Sequence, residues 1–166
     1  METEAITQQS RGHKFAAFVI ERMKTDSGFG ARLRRADNQA TEYQSWEILS
    51  QWCDLENPRE LISFTTIGAA IAKSKPQCNG KVALGRAIAS AYKDGNRDDA
   101  AKAKLRRLLA CNTLQEVRLI LRSLLTLIAA RGINIDYGEL LNQLLYFGEK
   151  TRLRWAVDFY GRSEEK

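Results

Sequence analysis

Apolar positions recur along this chain at the spacing of an α-helix, and no stretch alternates convincingly as a half-buried strand does. The pattern predicts a first helix over 14–25, ended by the Asp26-Ser27-Gly28 turn, then a short basic one over 31–36. Thr41 with Gln44 three residues on has the form of a capping box and opens a third, with Tyr43, Trp46, Leu49 and Trp52 on its apolar side. Asn57-Pro58 is a cap followed by proline at the first helical position, starting a helix that runs to about Ala72. Lysines, Pro76 and Asn79-Gly80 make 73–80 an exposed turn.

The pattern continues with helices over 81–92 and 98–110, parted by Asp94-Gly95-Asn96. Thr113 and Glu116 form another capping box, and their helix runs to Arg131 before Gly132 stops it. It is apolar almost all round, which predicts the central, most buried element. Its narrow polar stripe, Gln115, Arg118, Arg122 and Thr126, holds two arginines and no carboxylate. Asp136 and Glu139 cap a helix over 137–147, and 150–160 forms the last. The expectation is an all-α fold of about eight helices in two small packed halves, a single domain over 1–166 with one candidate division near 73–80. There is no internal repeat and no low-complexity tract.

Length and composition agree with one packed domain: 166 residues, 44% of them hydrophobic, 28% charged. No window approaches the roughly 18 uninterrupted apolar residues of a membrane span, so no membrane partner is expected. The polar, partly acidic start does not read as a signal peptide. Cys53, Cys78 and Cys111 are scattered, with no closely spaced pair, and read as reduced thiols of a cytoplasmic protein acting as small buried hydrophobes.

Charge changes the picture. Residues 1–80 balance at 10 Lys and Arg against 10 Asp and Glu, whereas 81–166 carry 16 against 10, so the whole net charge of +6 lies there. One-sided charge in a folded segment costs self-repulsion, which points to a polyanion partner. Arg86, Lys102, Arg106 and Arg107 fall on outward faces of their helices. A guanidinium buried without a partner is costly, so the Arg118–Arg122 stripe is expected to open onto a groove where phosphates supply the counter-charge.

Catalytic chemistry is missing from the pattern. The single histidine, His13, lies near an end and reads as solvated, and the acids are dispersed. Asp98, Asp99, Glu116, Asp136, Glu139 and Glu149 sit at helix N-termini, where the macrodipole explains them. No metal site, cofactor site or phosphate-binding glycine loop is evident, so no enzyme activity is expected. Helices that carry arginine carry leucine at most other positions, which suits phosphate contacts and not base readout.

Five segments in order resemble one family. They are Ala31-Arg32-Leu33-Arg34-Arg35-Ala36, Ala83-Leu84-Gly85-Arg86-Ala87-Ile88-Ala89, Leu121-Arg122-Ser123-Leu124-Leu125, the stretch from Ile133 to Leu141, and the stretch from Arg152 to Tyr160. Over roughly 14–160 the chain resembles the CasB family, small subunits of the type I-E CRISPR surveillance complex Cascade. The resemblance implies an all-α protein in two helical halves, with two copies along the complex's inner face. It implies a subunit that is not a nuclease, whose partners are crRNA, the target and displaced DNA strands, other Cascade subunits and a second copy of itself. Such a subunit holds nucleic acid through backbone contacts and stabilises the R-loop.

Arg34 and Arg35 match the family's first basic motif, Arg86 its Leu-Gly-Arg motif, and Arg122 the arginine before a Leu-Leu pair. Lys150, Arg152 and Arg154 match the basic cluster ahead of the C-terminal aromatics. The chain departs from the pattern at Ser123, where some relatives carry a second arginine. Lys102, Lys104, Arg106 and Arg107 lie in a segment that matches only loosely, so their roles rest on charge. The nucleic-acid-binding set is therefore Arg34, Arg35, Arg86, Lys102, Arg106, Arg107, Arg118, Arg122, Arg131, Lys150, Arg152 and Arg154.

Core packing is the expected role of Tyr43, Trp46, Trp52, Trp155, Phe159 and Tyr160, with base stacking as the alternative. Two other functions fit the charge: a small helical DNA-binding transcription regulator, and an interaction module that meets an acidic protein. Salt-sensitive binding that ignores base sequence separates them from a scaffold.

Overall fold

The computed structural model describes residues 9–161, and these form nine α-helices with no named strand. In chain order they are α1 (Arg11–Met23), α2 (Ser27–Arg34), α3 (Trp46–Leu49), α4 (Pro58–Ser74), α5 (Leu84–Ser90), α6 (Asp99–Leu109), α7 (Leu114–Ala130), α8 (Tyr137–Leu145) and α9 (Glu149–Tyr160). The 3₁₀ turns Glu42–Ser45 and Gly95–Arg97 precede α3 and α6.

Most helix starts follow from local hydrogen bonding. Asn57 accepts from the Arg59 and Glu60 amides, with Pro58 taking the position that needs no donor. Thr113 accepts from the Glu116 amide, and the Glu116 carboxylate accepts from the Asn112 amide. Asp136 caps α8 through the Glu139 amide. Asp26 does not sit in a turn between helices. It caps α2, so Ser27 and Gly28 are already helical.

Thr41 forms no capping box: its hydroxyl donates to the Arg35 carbonyl at 2.7 Å, and Gln44 accepts from the Arg35 guanidinium at 3.0 Å. The expected long third helix is therefore a 3₁₀ turn running into the single turn of α3.

The centre belongs to α4, not α7. It packs against α1, α2, α3, α7 and α8, and its run from Ser63 to Ala69 is buried on every side. Ser63, Thr65 and Thr66 tolerate that burial because their hydroxyls donate to the carbonyls of Arg59 and Ile62 on the same helix. α7 presents only one face inward (Leu114, Val117, Leu121, Leu124, Leu125, Ile128), and Leu119 on its far side is 73% exposed.

α1 also packs on α8, and α9 on α5 and α6. A Cβ on Gly85 would lie 2.2 Å from the Trp155 carbonyl oxygen, so glycine is what allows α5 to touch α9 there. The segment after α4 is pinned beneath the start of α8: the Gly80 amide donates to the Ile135 carbonyl, and the Asn79 side chain binds Asp136 and the Tyr137 amide. Buried residues of both halves, from Phe15 to Phe159, form one continuous cluster.

Trp155 and Phe159 are in that core, whereas Tyr43, Trp46 and Tyr160 are exposed, against the expectation of packing. Cys53 and Cys111 are buried and Cys78 is exposed, so the cysteines do not share one role. Burial pushes the Cys53 thiol up to about 11 and raises that of Cys111, which keeps both neutral. His13 is not a solvated end residue: it belongs to α1, and its ring bonds the Ser10 hydroxyl and lies 3.0 Å from Asp136.

Candidate nucleic-acid interface

The Arg118–Arg122 stripe does open onto a groove. It lies between the C-terminal half of α4 and the length of α7 from Arg118 to Ala130, with Asp37 at its side, and has a volume of about 460 Å³. Ala70, Leu125, Ala129 and Ala130 form its apolar surfaces, and Lys73, Arg118, Arg122, Asp37 and hydroxyls of Thr66, Ser74 and Thr126 line the rest. Among the described residues no Asn or Gln lines it, so the side chains best suited to bidentate adenine contacts are missing from the wall they form.

Counter-charge here comes partly from the protein itself, contrary to the expectation that phosphates alone would supply it. Arg118, with its side chain only 13% exposed, donates to the Ala36 carbonyl at 3.2 Å and lies 4.0 Å from the Glu42 carboxylate. Arg122 lies 3.4 Å from Asp37, and Lys73 bonds the same carboxylate, which is 7% exposed. Neither arginine pairs with Glu116 or Asp136. The carboxylates arrive on the connection after α2, far from α7 in sequence, so helical spacing alone could not reveal them.

The two arginines thus differ. Arg118 is tied into the wall, while Arg122 keeps half of its side chain, 51%, open to solvent. Three cations face two carboxylates, leaving one positive charge in excess where a polyanion could enter. The sequence pattern puts Lys73 in the exposed turn 73–80. Lys73 instead occupies the last turn of α4, and neither periodicity nor motif marked it, or Asp37 and Glu42, as part of a site.

The other predicted residues lie elsewhere. Arg34 and Arg35 are exposed at the end of α2, Arg34 bordering a recess that also includes Lys24 and Lys75. Arg86 is exposed on α5; on α6, Arg106 and Arg107 are exposed and Lys102 is half-buried. Arg131 is the exposed C-cap of α7, and Lys150 is exposed at the start of α9. Arg154 pairs with Asp158 at 3.2 Å. Arg152 donates to the Leu109 and Cys111 carbonyls and lines a second groove with Arg59, a residue that sequence reasoning passed over. Only Arg118 and Arg122 among the predicted residues share the α4–α7 groove.

Among the described residues, no group of three His, Cys, Asp or Glu side chains is placed to hold a metal ion. Every buried polar side-chain atom among them has a hydrogen-bond partner. No helix among them is long and apolar enough to cross a membrane.

The structure is thus an all-helical protein with a cation-lined groove between α4 and α7. The family described as CRISPR-associated protein Cse2 matches residues 30–160, and the chain belongs to that family. This is the CasB family that its motifs resemble. The crystal structure of CasB from Thermus thermophilus is similar in fold, with a TM-score of 0.72 and 19% sequence identity, over 92% of this chain and 99% of that one. No curated protein matches the sequence.

Proposed function

We propose that this Cse2-family chain is a non-catalytic Cascade subunit that grips nucleic-acid backbone without reading sequence, and so stabilises the R-loop in cytoplasmic antiviral defence. Its partners in this reading are crRNA, the target and displaced DNA strands, the other Cascade subunits and a second copy of the chain. The observation that carries it is the α4–α7 groove, where half-exposed Arg122 stands beside Lys73 with one cation in excess and no Asn or Gln in the lining. R-loop formation exchanges one duplex for another of similar stability, so modest backbone contacts suffice to tip it. A subunit that must accept any guide gains nothing from base contacts, and phosphate contacts position without specifying.

The test is binding of the purified chain to unrelated DNA and RNA sequences in parallel, at several salt concentrations. The expected result is equal affinity across sequences, a steep salt dependence, and strands left intact with Mg²⁺ or Mn²⁺ present. Strong preference for one operator-like duplex would make the chain a transcription regulator. Cleavage that is lost on mutating one named acid would make it a nuclease.

A further inference from the structure

The segment between α2 and α4 exposes two aromatic rings that the fold itself does not use. Tyr43 is 58% exposed and Trp46 43%, and their rings meet edge to face with centroids 6.4 Å apart. Buried neighbours on either side anchor their turn. Ser45 is fully buried and donates to the Glu42 carbonyl, Glu42 is buried against Arg118, and Ile48 and Leu49 are in the core. Two exposed aromatics on so anchored a turn forgo the burial that such side chains normally gain.

Arginines bracket the pair. Arg35 donates to Gln44, which lies between the rings in sequence, and Arg32 lies 3.6 Å from Glu47, the residue after Trp46. Arg35 is exposed and pairs with no carboxylate among the described residues. Aromatic surface open to solvent beside an exposed guanidinium that no carboxylate neutralises suits a single strand: a base stacks while a neighbouring phosphate meets the cation. A duplex cannot use it, since its base faces are already covered by stacking.

We propose that Tyr43 and Trp46 form a stacking platform for an unpaired base of single-stranded nucleic acid, with Arg35 taking a flanking phosphate. The inference rests on the backbone-binding reading above and adds to it a preference for unpaired strands. Glu42, next to Tyr43 in sequence, ties this turn to the groove wall through Arg118.

The experiment uses the full chain and three probes: oligo-dT, an abasic deoxyribose-phosphate chain of the same length, and a duplex. Replacing both aromatics (Tyr43→Leu with Trp46→Leu) keeps apolar bulk and should weaken oligo-dT binding about tenfold for one stacked base. Affinity for the abasic chain and the duplex should not change, and Tyr43→Phe with Trp46→Phe should restore most of the loss. Equal weakening on all three probes, or none on any, would overturn the platform. So would unchanged binding by a leucine variant that no longer assembles with Cascade, which would make the rings a protein-docking surface. If the wild-type chain bound oligo-dT and the abasic chain equally, the platform alone would fall. If it bound neither, the backbone reading would fall with it.

Discussion

Asp37 is the residue on which the groove's charge turns. Its carboxylate is almost fully enclosed and serves two cations at once, Lys73 and Arg122, both of which reach solvent. A phosphate entering the groove must share or displace that carboxylate, so Asp37 acts as a built-in competitor. Asp37→Asn leaves neither cation buried and unpaired, because both can be hydrated. The expected outcome is tighter nucleic-acid binding, by up to about fivefold, since pairs whose cation ends reach solvent contribute up to about 1 kcal/mol. A titration at fixed salt checks it, and weaker binding would mean that Asp37 positions Lys73 and Arg122 for the phosphate. Periodicity did place Arg118 and Arg122 together on one stripe of α7. It could not see that one of them is committed to Glu42 and Ala36 while the other stays open, because their partners arrive from a distant connection.

At the scale of elements, what was legible in the sequence is what local chemistry decides. The Asn57-Pro58 start of α4, the Thr113–Glu116 box of α7 and the Asp136 cap of α8 all form. The Thr41–Gln44 box has equally good local chemistry and does not form, because the Arg35 carbonyl captures the hydroxyl. The exchange of roles between α4 and α7 has a similar cause. Hydropathy counts Ser63, Thr65 and Thr66 as polar, yet each returns its hydroxyl to the helix, and small residues let α4 cross its neighbours closely. A Cβ at Gly68 would lie 3.3 Å from Leu33.

The Leu-Gly-Arg motif gains a physical reason in the same way: Gly85 is where α5 meets the backbone of α9. Gly85→Ala should part the two helices and cost about 1–3 kcal/mol or more, seen as a lower Tm in thermal unfolding. Arg86→Gln, exposed beside it, should leave Tm unchanged. An unaltered Tm in Gly85→Ala would show that the helices can shift without penalty.

For the whole molecule, the charge asymmetry of the sequence translated only in part into a site. The excess lies in residues 81–166, yet the groove joins Arg118 and Arg122 from that half to Lys73, Asp37 and Glu42 from the balanced half. This happens because α7 and α8 fold back onto α4 and α1 while α5, α6 and α9 pack among themselves, all over one continuous core. A site shared between distant segments has no signature in any window of sequence, whereas the family's motifs, each carried within one window, did.

Backbone binding is tested most directly by the slope of log K against log salt for Arg122→Gln and Arg118→Gln beside the wild-type chain. Arg122→Gln should reduce the magnitude of that slope by about 0.9 on duplex and about 0.7 on single strands, equally on unrelated sequences. Arg118→Gln should leave the slope unchanged and lower Tm, because it strands the buried Glu42 carboxylate. A folded Arg122→Gln protein with the wild-type slope, or a loss confined to one sequence, would contradict phosphate contact in the α4–α7 groove.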